Sequence, residues 1–187
     1  AGVAILGGRR AEHVAQVLGK TAGERRGVGM LEGRLGHAEV LACSPEQLRL
    51  RCTFDTEPPP KSAVRLVLAL PRPPVLRRVL QHVTAMGVGH IVLLHTRRVE
   101  KSYWQSPALA DDRLREQLLL GLEQAVDTRL PTVEIARAFR PFVEDRLPAL
   151  VGKGRCLVAD PSGENPCPVD VDGETTVLVG PEGGFIP

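Results

Sequence analysis

Two glycine-containing loops carry the residue types in this sequence that are best suited to contact a ligand. One is Gly180-Pro-Glu-Gly-Gly-Phe185, the other is Asp160-Pro-Ser-Gly163, and each follows a short apolar run. Glycine has no Cβ, so backbone amides and carbonyls at such positions can approach a ligand closely. Neither loop has the spacing of a Walker or G-x-G-x-x-G nucleotide motif. The pattern therefore predicts backbone contacts to a ligand, and two tight surface turns are the alternative interpretation.

Basic side chains are concentrated in the middle of the chain. The 187 residues carry 24 Lys and Arg against 22 Asp and Glu, which gives a net charge of +2. Residues 61–110 hold eight basic side chains and a single acidic one, Glu100, so this segment alone carries +7. Such a local positive field suits the binding of phosphate groups. A solvated helix face with no partner is the alternative.

The overall composition excludes several classes of protein. Hydrophobic residues make up 43% and charged residues 25% of the chain, as is typical of a soluble globular protein and too apolar for a disordered one. No apolar run approaches the roughly 20 residues that a membrane helix needs, and none resembles a signal peptide. We therefore expect no membrane partner and a cytoplasmic location.

The cysteines and histidines do not form a metal-binding pattern. There is no C-x-x-C pair and no histidine at zinc-finger spacing, so we expect no metal. We predict that the cysteines are reduced, mostly buried thiols: Cys43, Cys52, Cys156 and Cys167.

Secondary-structure elements must position these loops and charges. The pattern of the first part of the chain predicts a small β-barrel over residues 1–57. Leu48–Phe54 alternates between apolar and polar residues, which is the period of a half-buried strand. Ala11–Leu18 predicts a short helix. Glu32-Gly33 and Leu35-Gly36 supply turn chemistry between strands. Three consecutive prolines within residues 58–62 predict a stiff linker and a domain boundary.

Residues 63–187 predict an α/β domain with a mainly parallel sheet. Val64–Leu70 is a near-continuous apolar run, as in strands buried on both faces. A helix follows from Pro73 to Gly87, with one apolar stripe that ends at Met86. The remaining elements are strands near 91–94, 132–136, 155–159 and 175–179 and a helix over 111–126. Ligands of such sheets bind at the carboxyl ends of the strands, where both loops are expected.

Several motifs resemble one known family. Val179–Phe185 resembles the hallmark loop of the bacterial small-subunit ribosomal RNA uridine-N3 methyltransferases, which are knotted SPOUT proteins. Gln81–Val88 is similar to the family's Gln-Lys-Ala-Thr-Glu-Leu-Gly-Val. Glu123-Gln124, followed by Arg129-Leu-Pro131, is similar to a second family motif, and His13–Leu18 to an element of its barrel. The chain departs from the family at Gly19-Lys20, His82, Ala85 and Arg97–Trp104.

The resemblance implies a fold and an activity. The fold is a PUA-like N-terminal barrel followed by a SPOUT domain with a C-terminal trefoil knot. The activity is transfer of a methyl group from S-adenosyl-L-methionine to N3 of a uridine in 16S rRNA of the small ribosomal subunit, by a homodimer. Family members continue into a further segment that completes the knot and the cofactor pocket, so we expect this sequence to lack that tail. The alternatives are ribose 2′-O methylation and a non-catalytic RNA-binding or ribosome-assembly factor.

Several residues have candidate roles in such a reaction. The catalytic residue is unknown, and Glu182, the only ionisable group of the hallmark loop, is the one candidate in it. Glu182 either orients the ribose, the methionine amine or a neighbouring arginine, or caps a following helix. Trp104 and its neighbour Tyr103 either stack on a flipped base or pack at an interface. We expect His82 to be a surface residue, and Glu123-Gln124 to make structural hydrogen bonds near the cofactor loops. The expected cofactor-binding residues are Val179, Gly180, Pro181, Glu182, Gly183, Gly184, Asp160 and Pro161, and the expected RNA-binding residues are Arg9, Arg10, His13, Lys20, Arg72, Arg77, Arg97, Arg98 and Lys101.

Overall fold

The chain forms two compact units in the computed structural model. One unit comprises residues 1–59 and 126–129, and the other comprises residues 60–125 and 130–187. The structure describes residues 2–16, 23–44, 46–160, 163, 165–169 and 171–185, without the side chains of residues 13, 15 and 16.

The first unit is built on a four-stranded antiparallel sheet with the order β1-β4-β3-β2. Its small core contains Ala11 of a short helix together with Val40, Leu48 and Leu50 of the strands. In the described residues β1 and β2 are edge strands that do not pair with each other, so the predicted closed barrel is not confirmed. The elements are β1 (Gly2–Gly7), α1 (Arg9–Gln16), β2 (Arg25–Gly29), β3 (Leu35–Cys43) and β4 (Gln47–Thr56).

The predicted turn at Leu35-Gly36 is wrong, because both residues belong to β3. A Cβ at Gly36 would lie 1.9 Å from the carbonyl oxygen of Thr53 on the neighbouring strand. The strand register shifts between Leu35 and Gly36. Glycine is therefore present here to allow a close approach of two strands at a bulge, and not to reverse the chain.

The second unit is a five-stranded, wholly parallel sheet with the order β7-β6-β5-β9-β8. The predicted α/β class and the three strands near 132–136, 155–159 and 175–179 are confirmed. Two 3₁₀ turns follow β6, and a continuous helical segment over 139–151 connects β7 to β8. The elements are β5 (Ser62–Ala69), α2 (Pro73–Ala85), β6 (Val88–Leu94), the 3₁₀ turns Lys101–Gln105 and Pro107–Leu109, α3 (Asp111–Ala125), β7 (Thr132–Ala136), β8 (Arg155–Ala159) and β9 (Thr175–Val179).

Helices cover the central strands of this sheet on both faces. Leu76 of α2 and Leu118 of α3 lie in one core cluster with alternate residues of β5 and β6. Phe142 of the 139–151 segment lies in a second cluster, which contains the intervening strand residues. Burial on both faces explains why these strands read as continuous apolar runs.

Helix α2 begins and ends where its sequence predicts, with one difference in its apolar stripe. Pro73 starts the first turn, and Gly87 has a positive φ of 80° just beyond the end. Met86 was expected on the buried stripe, but its side chain is 74% exposed. Met86 is the C-cap residue, so it no longer follows the helical period that buries Leu76 and Leu80.

The cysteines are free thiols, but the expectation that most are buried is wrong. Cys52 is buried in the antiparallel sheet and Cys43 is half-buried, whereas Cys156 and Cys167 are exposed. Cys156 lies on β8, an edge strand whose residues are largely exposed. Cys167 lies in the segment between β8 and β9, outside the core clusters.

His90 is expected to make the stability of the protein dependent on pH. Burial lowers its pKa from the ordinary value of 6.5, and the nearby guanidinium groups of Arg65 and Arg146 lower it further. The unfolded chain therefore takes up a proton before the folded chain does as the pH falls below about 6.5. We expect the free energy of unfolding to decrease in this range, and His90→Asn to reduce that decrease.

Urea denaturation at pH 7.5, 6.5 and 5.5 tests this prediction. His82→Asn is the matched control, because His82 is exposed on α2. Equal pH dependence in the two variants would contradict the assignment to His90.

Candidate functional site

The carboxyl ends of the parallel strands bring the predicted loops to one edge of the sheet. Ala159 at the end of β8 pairs with Val179 at the end of β9, and Val179 pairs with Leu68 of β5. Asp160 and Gly180 are therefore the first residues beyond two neighbouring strands. The chains leaving β5 and β6 emerge at the same edge.

The loop after β9 is a tight turn with one open face. The amide of Gly184 donates a 2.7 Å hydrogen bond to the carbonyl of Pro181. Gly184 has a φ of +73°, and a Cβ built there would meet no atom within 4 Å. Gly180 is different, because its Cβ would lie 3.1 Å from the ring of Phe185. The loop thus folds over itself at Gly180 and presents bare backbone to open space at Gly184.

Two arginines from other strand ends hold this loop. Arg72, just after β5, pairs its Nη2 with Oε1 of Glu182 at 2.9 Å. Arg98, in the chain after β6, donates a hydrogen bond from Nη1 to the carbonyl of Gly183. Both arginines were predicted to bind RNA phosphates, and that role stays a prediction. In the structure, Arg72 and Arg98 each contact a residue of the glycine loop.

Glu182 therefore has a carboxylate that is already engaged by a cation. The pair with Arg72 is exposed, with 57% of the Arg72 side chain and 68% of the Glu182 side chain accessible. An exposed pair of this kind contributes at most about 1 kcal/mol to stability. The geometry favours a role for Glu182 in positioning the loop, and its predicted catalytic role remains untested.

Tyr103 lies close to this pair and keeps its proton at neutral pH. Its pKa is raised by partial burial first, and then by the nearby Glu100 carboxylate. Glu182 raises the pKa further and Arg72 opposes the shift. The phenol is therefore a hydrogen-bond donor at this edge and not a base.

The other predicted contact residues are distributed over both units. Arg9 and Arg10 are exposed in the first turn of α1, within the antiparallel unit. In the parallel unit, the side chains of Arg77, Arg97, Lys101 and Asp160 are exposed. The side chain of His13 and the whole of Lys20 and Pro161 lie outside the described residues.

The expectation that Glu123-Gln124 lies near the cofactor loops is wrong. The pair is exposed at the end of α3, which returns the chain to the amino end of β7. In a parallel sheet that end is the edge opposite the loops. His82 is confirmed as a surface residue, while Gln81 donates a 2.7 Å hydrogen bond to Gln117 of α3.

A cluster that sequence reasoning did not assign as a unit lies beyond β6 and β7. His95 and Arg137 are the first residues after these two strands, and both line a pocket of about 270 Å³. Trp104, also in the lining, donates from Nε1 to Nδ1 of His95 at 2.6 Å. The guanidinium carbon of Arg137 lies 5.0 Å from the centroid of the Trp104 ring. The position directly after an apolar strand is the sequence signal that could have identified His95 and Arg137.

Comparison with known proteins places the chain in a family. A family model described as RNA methyltransferase domain matches residues 57–187. The chain belongs to this RNA methyltransferase domain family. The matched range includes the sheet, both loops and the pocket, so the candidate site lies within the methyltransferase domain.

Two related proteins are both named ribosomal RNA small subunit methyltransferase E. Ribosomal RNA small subunit methyltransferase E of Treponema pallidum (strain Nichols) is 31% identical over 144 residues, which cover 75% of this chain and 54% of that protein. Ribosomal RNA small subunit methyltransferase E 1 of Borreliella burgdorferi is 22% identical over 184 residues, covering 96% and 75%. The chain thus spans about half the length of the first of these relatives.

Solved structures have the same fold at low identity. A ribosomal RNA small subunit methyltransferase E from Neisseria gonorrhoeae, bound to S-adenosyl methionine, superposes with a TM-score of 0.70 at 18% identity. A methyltransferase from Legionella pneumophila, in complex with the cofactor SAM, gives 0.70 at 19% identity. Each match covers 99% of this chain and 76% of the other. These likenesses support the α/β architecture with one parallel and one antiparallel sheet.

The described residues contain neither a membrane-spanning helix nor a metal-binding cluster. No described helix has the length and apolar character needed to span a membrane. No group of three or more His, Cys, Asp or Glu side chains in that part of the chain is arranged to hold a metal ion.

Proposed function

We propose that this chain belongs to an S-adenosyl-L-methionine-dependent methyltransferase that modifies N3 of a uridine in 16S rRNA of the small ribosomal subunit. Membership of the RNA methyltransferase domain family supports the reaction class. The observation that carries the proposal is the Gly180–Phe185 loop, held at the carboxyl edge of the sheet by Arg72 and Arg98. We further propose that the protein is cytoplasmic and acts as a homodimer. Sedimentation velocity would test the homodimer.

The loop after β9 fits the cofactor. The bare backbone at Gly184 can approach a polar ligand, because a Cβ there would fill space that is open. Phe185 and Phe139, whose ring centroids are 6.3 Å apart, supply an apolar aromatic surface for an adenine ring. We propose that the cofactor is held by Val179, Gly180, Pro181, Glu182, Gly183, Gly184, Asp160 and Pro161.

The task of the protein in such a reaction is alignment. The cofactor supplies an activated methyl group on a sulfonium centre when bound. Arg72 and Arg98 fix the loop that orients the ligand, so the geometry of attack is set before the base arrives. The N3–H of uracil is weakly acidic, and cations such as Arg97 at this edge would favour the anionic base.

Arg98 and its neighbour Arg97 are expected to affect different ligands. Arg98→Ala removes the hydrogen bond to the carbonyl of Gly183 and loosens the loop, so we expect affinity for S-adenosylmethionine to fall about ten-fold. Arg97→Ala removes an exposed cation that forms no ion pair with a described residue. We expect Arg97→Ala to weaken RNA binding with unchanged cofactor affinity.

Isothermal titration of the two variants with S-adenosylmethionine, beside the wild type, measures this difference. Equal cofactor affinities in Arg97→Ala and Arg98→Ala would show that the contact to Gly183 does not organise the site.

The proposed function is tested by binding and turnover of the full-length protein. Calorimetry should detect S-adenosylmethionine binding, and labelled methyl groups should enter RNA in isolated small subunits that lack the modification. Absence of binding at millimolar cofactor would exclude both enzymatic alternatives and favour the RNA-binding factor. Transfer to a ribose oxygen would favour the 2′-O alternative.

A further inference from the structure

We propose that the pocket formed by His95, Lys101, Trp104, Gln105 and Arg137 binds a backbone phosphate of the RNA strand next to the target nucleotide. The inference rests on the proposed function, because it takes the RNA substrate from there. It assigns a second binding site, separate from the loop after β9, to residues at the carboxyl ends of β6 and β7.

The pocket lining consists of hydrogen-bond donors and cations. Lys101 and Arg137 are exposed, and neither forms a salt bridge with another described residue. The nearest acidic residue in sequence, Glu100, accepts a hydrogen bond from the hydroxyl of Ser102 and is not part of the lining. A pocket with two unneutralised cations and no carboxylate in its lining selects for an anion.

Trp104 determines the orientation of the donors around it. An indole N–H can only donate, so Nδ1 of His95 accepts and Nε2 is the ring nitrogen that carries hydrogen. His95 therefore adds a further N–H donor to the lining. Arg137 lies over the indole ring at 5.0 Å, which holds its guanidinium in place without a carboxylate partner.

The occupied surroundings of Trp104 favour a phosphate over a stacked base. The indole packs against the core cluster, its edge meets the His95 ring at a centroid distance of 5.5 Å, and Arg137 covers its face. A base would need to displace Arg137 in order to stack on this ring. A phosphate would instead be met by the guanidinium, the Lys101 ammonium and the Gln105 amide as they stand.

The position of the pocket in the sheet agrees with a neighbouring phosphate. β5 separates β6 from β9, and adjacent strands are about 4.8 Å apart. The ends of β6 and β9 are therefore roughly 10 Å apart. The chain after β6 spans this distance, since Arg98 reaches the loop that we assign to the cofactor. An RNA strand whose target base reaches that loop could leave an adjoining phosphate in the pocket.

The test compares a pocket variant with a charge-matched control in the full-length protein. Lys101→Ala/Arg137→Ala removes two cations from the pocket, and Arg78→Ala/Arg115→Ala removes two exposed cations from α2 and α3. The probe is a single-stranded RNA spanning the methylated uridine, titrated at several salt concentrations. We expect the pocket variant to lose about ten-fold in affinity and about 0.7 in the slope of log K against log salt, and the control to lose less than half as much.

Two further measurements make the outcome decisive. An oligonucleotide with one uncharged methylphosphonate beside the target uridine should bind the wild type as weakly as normal RNA binds the pocket variant. Inorganic phosphate should change the emission of Trp104, with Trp104→Phe as the blank. Equal RNA affinities and salt slopes in the pocket and control variants would overturn the proposal, and a phosphate response without an RNA effect would reassign the pocket to a free anion.

Failure of the proposed function is distinguishable from failure of this inference. Cofactor affinity is measured separately and should be unchanged in Lys101→Ala/Arg137→Ala. Suppose that the wild type transfers no methyl group to RNA, but that the pocket variant still binds RNA more weakly than the control variant does. That result would contradict the enzymatic proposal and leave the phosphate site in place.

Discussion

Gly184→Val is expected to reduce the affinity for S-adenosylmethionine at least about 100-fold, an effect of about 2.7 kcal/mol. The glycine loop presents its backbone to open space at this residue, where a Cβ would meet nothing within 4 Å. A valine would place a branched side chain where we propose that the cofactor approaches. Because the loop follows β9 and lies outside the core clusters, the sheet should remain folded.

The positive φ of Gly184 complicates this experiment, because valine is strained there by about 1–2 kcal/mol whatever the ligand does. Gly173 provides the matched control. Its φ is +84°, its Cβ would also meet nothing within 4 Å, and it precedes β9 at the opposite edge of the sheet. Gly173→Val carries similar strain without touching the site. Similar cofactor affinities in the two variants would show that the loop does not bind the cofactor.

Gly121→Val is expected to lower the free energy of unfolding by about 3 kcal/mol. Gly121 lies in α3 against α2, and its Cβ would be 2.5 Å from the backbone carbonyl of Gln81 and 2.7 Å from Cβ of Thr84. Neither atom can move without shifting α2. At an ordinary helical glycine the free energy of unfolding would instead rise, because replacing glycine with alanine favours the helix by about 1 kcal/mol.

Gly89→Val is the control for this prediction. Gly89 is in β6, and its Cβ would meet the flexible side chain of Lys61 at 3.5 Å, which is ordinary contact. Urea denaturation of Gly121→Ala, Gly121→Val and Gly89→Val should show graded destabilisation at residue 121 and little change at residue 89. A Gly121→Val protein as stable as the wild type would contradict the close packing of the two helices.

Elements with a strong local pattern are the ones that the sequence predicts well. The bounds of β7, β8 and β9 follow from short apolar or alternating runs, and α2 follows from its proline start and glycine end. The turn prediction at Leu35-Gly36 was wrong because the sequence alone does not distinguish a glycine at a β-bulge from a glycine in a turn. Only the neighbouring strand, through the carbonyl of Thr53, distinguishes them.

In the candidate site, too, the features with a local sequence pattern were predictable and the contacts between distant residues were not. The glycine loop was recognisable because its residues are contiguous and because the end of a parallel strand is a general position for ligands. The contacts of Arg72 with Glu182 and of Arg98 with Gly183 join residues 110 and 85 positions apart, and no local pattern encodes them. The basic segment was therefore predicted as one RNA-binding surface, whereas the structure engages two of its arginines with the loop.

The central claim is tested most directly by mapping modified nucleotides in the small-subunit RNA of a strain that lacks this protein. Mass spectrometry should find one uridine without its N3-methyl group, and restoring the wild-type protein should return the methyl while Gly184→Val should not. An unchanged set of base methylations in the deletion strain would contradict the account. A methyl group missing from a ribose 2′-oxygen instead would contradict the assignment to N3.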